Sequence, residues 1–146
     1  MKSRLKSLRP LLAAVGLATL ASVAASQAQT ATACAQVEVK NVRPQQGYLM
    51  LAAYGDADSY NKKPLTSMRL PAGDAVMSFE VCGLVGDSVA LALFQDLDSD
   101  GKMGRNLIGI PTEPWGSSGT PGAMGPSWST GRVALDGKTI IVLMSN

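Results

Sequence analysis

Histidine is absent from this chain of 146 residues, cysteine occurs twice, and only 5% of the residues are aromatic. Without an imidazole, Ser-His-Asp and Cys-His catalysis, zinc sites built on histidine and histidine-ligated haem are excluded. Charge is also sparse, at 16% of residues, with a formal net value of +2. A nearly neutral chain without a basic stripe is a poor binder of nucleic acid, and none is expected as a partner. No internal repeat, charge block or long low-complexity tract is present.

The little charge there is has an uneven distribution. Residues 1–28 hold Lys2, Arg4, Lys6 and Arg9 and no acid. A basic start, an apolar Ala-rich run from Leu11 to Ala25 and a following set of small residues have the three-part order of a secretory signal peptide. Ser26-Gln27-Ala28 puts small residues where signal peptidase reads, so a cut is expected after Ala28. The apolar run falls short of the ~20 residues of a membrane-spanning helix, so no stable membrane insertion is expected once the leader is gone. Residues 29–146 then carry nine basic and eleven acidic side chains. They suffice for a single domain with a modest core, located in the periplasm or outside the cell.

Export bears on Cys34 and Cys82. In an oxidising compartment an even count favours a disulfide. Cys34 has the strand parity of Gln36, Glu38 and Lys40, and Cys82 that of Ser78 and Glu80, which puts both thiols on the more polar side of their strands. Two free buried thiols are the alternative.

Short apolar runs separated by turn residues predict an all-β domain. Gln36–Val42 alternates, whereas Tyr48–Tyr54 and Val89–Phe94 are apolar on both parities, as central strands are. A short strand is expected around Ser67–Leu70, and another over Val76–Cys82 with Met77, Phe79 and Val81 on one face. Arg132–Leu135 and Thr139–Met144 flank Asp136-Gly137, a tight-turn pair that predicts a closing hairpin. About seven strands are best closed as two packed antiparallel sheets, a β-sandwich with a long loop between strand five and the last hairpin. A small barrel is the alternative. Met50, Met77 and Met144 fall within strand runs and read as core filler.

One polar motif is dense. In Phe94-Gln95-Asp96-Leu97-Asp98-Ser99-Asp100-Gly101-Lys102, three aspartates occupy positions 1, 3 and 5 of a loop with glycine at position 6. Alternate carboxylates with a sharp glycine turn suit a calcium ion, with Asp96, Asp98 and Asp100 as ligands and the Lys102 carbonyl as a fourth. Position 12 is Leu107, where a bidentate acid normally completes the shell. Glu113 could take that place only if the chain folds back. The other reading is an Asp/Gly turn held by side chain to backbone hydrogen bonds. Further on, Glu113 between two prolines and Trp115 form a candidate recognition surface, with Trp115 either an exposed platform or a cover for the sandwich.

Over nearly the whole of residues 29–146, and most strongly from Val89 to Ser127, the chain resembles an exported bacterial family, domain of unknown function 2141. The matching pieces are Val89–Asp100, Gly101-Lys102, Gly109-Ile110-Pro111-Thr112-Glu113-Pro114-Trp115-Gly116-Ser117 and Gly125-Pro126-Ser127. The resemblance implies a prealbumin-like (transthyretin/immunoglobulin-like) β-sandwich in the periplasm or outside the cell, and no known activity. Gln95 stands where the family commonly has histidine and Gly104 where it often has an acid, which argues against a metal or catalytic role for this copy.

The expectation is therefore a non-catalytic exported module that binds an envelope protein or glycan, with calcium as its candidate ion. Two alternatives differ in class. One is a carbohydrate-binding module that stacks sugar on Trp115. The other is a hydrolase using Asp96 or Asp98 with Glu113 as an acid/base pair.

Overall fold

The computed structural model describes residues 32–121 and 126–145. The expected leader, its cut after Ala28, and Gly125 lie outside the described residues. Among the described residues eight strands form: β1 (Ala33–Lys40), β2 (Tyr48–Tyr54), β3 (Thr66–Pro71), β4 (Val76–Leu84), β5 (Ser88–Asp96), β6 (Trp115–Ser117), β7 (Arg132–Ala134) and β8 (Ile140–Leu143). One four-residue helix, α1 (Trp128–Gly131), precedes β7. The first sheet has the order β4-β1-β8 and the second β3-β2-β5-β6, with β7 also on β5. All pairings are antiparallel except that of β1 with β8.

The sheets pack through the inward parity of their strands. Val37, Val39, Val81, Ile140 and Val142 of the first sheet meet Leu49, Leu51, Ala53, Val89, Leu91 and Leu93 of the second in one buried cluster. Alternation explains this, because residues two apart share a face. On the outward parity of β1 and β4, Cys34 lies directly opposite Cys82 and the two form a disulfide. Both cysteines are exposed, as their parity with polar neighbours requires.

Two expectations are corrected. Arg132–Leu135 and Thr139–Met144 do not make a hairpin: β7 pairs with β5, while β8 crosses to the other sheet and runs parallel to β1. The turn itself is present, with Gly137 at φ +81° and the Asp136 carboxylate accepting the Lys138 N–H at 3.1 Å. An Asp-Gly pair signals that the chain bends, but pairing depends on which strand edges are free. Here β5 and β1 each had one. Met50 is the second correction. It points outward from β2, paired with Phe94 and Arg69, while Met144 is buried and Met77 packs against the core.

The stretch after β5 is also more structured than a plain loop. β6 and then β7 lie end to end along the same edge of β5, opposite residues 92–94 and 88–90. Ser118 stitches their junction: its hydroxyl accepts the Leu91 N–H at 2.8 Å and donates to the Gly131 carbonyl. Gly116 permits the close approach of β6 to β8, since a Cβ there would lie 2.8 Å from the Leu143 carbonyl oxygen.

Candidate functional site

The acidic loop begins where β5 ends, on two fully buried polar residues. Gln95 accepts the Arg43 N–H at 2.9 Å and donates to the Arg43 and Gln46 carbonyls at 2.8 and 2.7 Å. It thereby ties the β1–β2 connection to the central strand, a structural role that satisfies its buried amide. Asp96 points to the outer face, where its two oxygens accept the Asp100 and Gly101 N–H groups at 3.1 and 3.0 Å. Asp98 accepts the same Asp100 N–H at 3.2 Å, and Asp100 accepts the Lys102 N–H at 2.7 Å. Each aspartate therefore holds the loop as an Asx turn does.

The chain does fold back. Arg105 bridges to Pro111, and the Thr112 N–H donates to the Gly104 carbonyl at 2.9 Å. This returns Glu113, half-buried, to the loop, where its two oxygens accept the Leu97 and Gly104 N–H groups at 2.7 and 2.8 Å. Carboxylate oxygens of Asp96, Asp98 and Glu113 lie within 4.8 Å of one another. Asp100, exposed, is outside that group. The Gly109–Gly116 motif now has a physical meaning. Gly109 turns the tip at φ +83°, Glu113 staples the return, the Pro114 carbonyl accepts the Gln95 N–H at 2.8 Å, and Trp115 opens β6.

Beside this loop lies a trough of about 640 Å³ on the outer face of the second sheet. Register explains its shape. One row across the sheet reads Arg69, Met50, Phe94, Trp115, and the next reads Ser67, Ala52, Ala92, Ser117. Small side chains in the second row leave a low floor beside the bulky first row. Tyr54 and Asn61 line the trough at one side, and Met103 and Arg105 of the acidic loop at another. The Arg69 guanidinium stacks over the Tyr48 ring, 3.7 Å from its centroid. Tyr60 packs on Tyr54 with ring centroids 4.9 Å apart, and burial raises the pKa of both phenols above the ordinary tyrosine value.

Trp115 is half-buried in the bulky row, and its backbone N–H donates to the Ser145 hydroxyl at 2.9 Å. The loop residues read from sequence thus come together in part, as Asp96, Asp98 and Glu113. Sequence reading missed the trough. Its signal was present in the two-sided apolarity of Tyr48–Tyr54 and Val89–Phe94, the neighbouring strands that supply its floor. A second cluster, Cys34, Glu80 and Cys82, is closed by the disulfide. No helix among the described residues is long and apolar enough to cross a membrane.

A family model described as an uncharacterized protein conserved in bacteria (DUF2141) matches residues 37–142. No curated protein and no solved structure matches the chain.

Proposed function

The chain belongs to the DUF2141 family, and on that premise we propose that it is an exported, non-catalytic module that holds a partner of the cell envelope in the trough on its second sheet. One observation carries this reading. The outward residues Met50 and Ala52 of β2 and Ala92 and Phe94 of β5 are apolar and line an open trough, although the core needs only the inward residues of these strands. A concave, largely apolar surface with a few polar groups at its margin is the usual form of a binding site. The three-part leader in the sequence and the Cys34–Cys82 disulfide support export.

The carboxylates favour binding over hydrolysis. Both oxygens of Glu113 and both of Asp96 face backbone N–H donors of their own loop, which engages them as staples rather than presenting them to a substrate. Trp115, half-buried and backbone-anchored, serves better as a wall of the bulky row than as a sugar platform. A photo-crosslinking side chain at Ser67, on the rim, tests the reading against one at Ser78, on the outer face of the other sheet. Adducts in intact cells are expected from Ser67 alone. Equal labelling from both positions, or none from Ser67, overturns it.

A calcium ion at the loop is the second part of the proposal, supported by the approach of Asp96, Asp98 and Glu113 within 4.8 Å. Three acids suit a weak extracellular-type site, with a dissociation constant of about 10⁻⁴–10⁻³ M. At a free concentration about tenfold higher, binding would add ~1.4 kcal/mol, raising the melting temperature by a few degrees. Magnesium should do less, because it dehydrates reluctantly. Asp98→Asn should abolish the shift. Identical melting curves in EDTA and in calcium leave the loop as a hydrogen-bonded turn and remove the ion from the proposal.

A further inference from the structure

The trough's chemistry narrows what can occupy it. Its size, about 640 Å³, lies within the ~300–1,000 Å³ typical of small-molecule sites. An added peptide strand has no ladder to join at the floor, because β2 and β5 are interior strands whose backbone groups pair with neighbours on both sides. Met50, Ala52, Ala92 and Phe94 make the floor apolar. Among the described residues two charged side chains line the trough, Arg69 and Arg105, and no acid does.

Neither arginine has a carboxylate partner among the described residues, where the ion pairs are Glu38–Lys40 and Asp136–Lys138. Both are nonetheless held in place. Arg69 stacks on Tyr48, and Arg105 donates to the Gly109 carbonyl at 2.8 Å and contacts the Met103 sulfur at 3.6 Å. A guanidinium keeps donors to spare after such contacts and matches a carboxylate in fork geometry.

Through Gly109, Arg105 also connects the trough to an unusual tip. Leu107, Ile108 and Ile110 are exposed by 106%, 79% and 54%. This is no slack segment: the Asn106 side-chain oxygen accepts the Ile108 and Ile110 N–H groups, and the Asn106 N–H donates to the Ile110 carbonyl. A braced turn that displays three adjacent aliphatic side chains suits contact with an apolar surface such as lipid.

From this arrangement we infer that the trough binds a fatty carboxylate of about twelve carbons or more, with its acyl chain over the Ala52–Ala92 floor and its carboxylate at Arg69 and Arg105. The inference rests on the trough being the binding site and names the ligand class for it. Rim arginines in contact with water discriminate charge modestly, so the anion should be preferred by about tenfold rather than by orders more.

Calorimetric titration of the purified protein with laurate, dodecyltrimethylammonium and lauroyl-lysophosphatidylglycerol below their micellar concentrations tests this. Laurate should bind one per chain, about tenfold more tightly than the cation of equal chain length. Arg69→Gln with Arg105→Gln should erode that preference to below about threefold. Ala52→Trp should remove laurate binding by filling the floor. Ser67→Trp, at an exposed position, gives the same steric test if Ala52→Trp misfolds. No laurate binding, equal binding of the cation, or indifference to both tryptophan variants overturns the inference. Tighter binding of the lysophospholipid overturns the fatty-acid assignment in favour of a phosphate headgroup. Ser67 adducts that persist in cells without laurate binding sink the ligand class and leave the trough as the site. Loss of both sinks the two together.

Discussion

The two sheets bury their inner faces alike and differ on their outer faces. In the first sheet the central strand β1 presents Cys34, Gln36, Glu38 and Lys40 outward. Of its exposed aliphatics, Val76 on β4 is kept apart from Ile141 and Leu143 on β8 by that strand and its Glu38–Lys40 ion pair. In the second sheet the central strands β2 and β5 present Met50, Ala52, Ala92 and Phe94, which adjoin one another and form a floor. A sandwich needs apolar residues on one face of each sheet only. Apolarity on the other face, placed contiguously and left open, is not required by the sandwich and supports the proposed binding role.

Each face has its own fastening, and breaking these fastenings tests the contrast. The largest effect is expected at the polar sheet. Its disulfide spans 48 residues of sequence, and Cys34→Ser with Cys82→Ser should cost about 3–4 kcal/mol by the loop-entropy argument. Chemical denaturation measures it. Both cysteines are exposed, so the loss would come from the cross-link and not from burial of new hydroxyls.

On the trough side the fastening is Glu113. Glu113→Ala leaves the Leu97 and Gly104 N–H groups without their acceptor, for an expected loss of about 1–3 kcal/mol. Hydrogen exchange at Leu97 and Gly104 should accelerate while the β1–β4 ladder stays protected. Uniform acceleration would show that the loop and the sheets open as one unit.

Paired truncations compare the faces directly. Met50→Ala removes a half-buried side chain from the floor and should cost about 1–2 kcal/mol, below the range for a fully buried methionine. Glu38→Ala removes one half of a surface ion pair and should stay within about 0.5 kcal/mol. If thermal denaturation ranks the two in the opposite order, the contrast between the outer faces fails.

The smallest effect concerns Tyr60, whose hydroxyl is buried without a partner among the described residues. Tyr60→Phe should be nearly neutral, or stabilising by less than about 0.5 kcal/mol. Its signature is in pH. Burial holds the folded pKa of Tyr54 and Tyr60 above 10.0, the second further raised by the first. The folded state thus retains protons that the unfolded chain releases, so stability is full below about pH 10 and falls as pH rises through the folded values. Melting temperatures measured on both sides of that point should fall less in Tyr60→Phe than in the native chain.

Strand parity was legible where polar and apolar residues alternate, in β1 and β4. Val37 and Val39 against Glu38 and Lys40 identifies the inner face of β1, and the polar parity of Cys34 and Cys82 anticipates their pairing. The two-sided apolarity of Tyr48–Tyr54 and Val89–Phe94 correctly marks interior strands, yet it does not reveal that they are neighbours with small residues in register. At Asp136-Gly137 the bend was legible and its partners were not, because a local turn signal carries no information about distant free edges. Asp96, Asp98 and Asp100 showed an acidic loop, but the approach of Glu113 to Asp96 and Asp98 depends on the chain folding back, which no local signal dictates.

Sequence by itself determined what depends on local chemistry and period: an all-β chain, the inward and outward residues of β1 and β4, the pair Cys34 and Cys82, and a turn-rich acidic segment. Tertiary structure decided what depends on which distant segments meet. It sent β8 across to β1, laid β6 and β7 along one edge of β5, returned Glu113 to the Asp loop, and aligned Ala52 with Ala92 between Ser67 and Ser117. The physical reason is that a side chain's face follows from its own backbone, whereas a floor, a cluster or a cross-sheet connection exists only once separate strands have chosen their register.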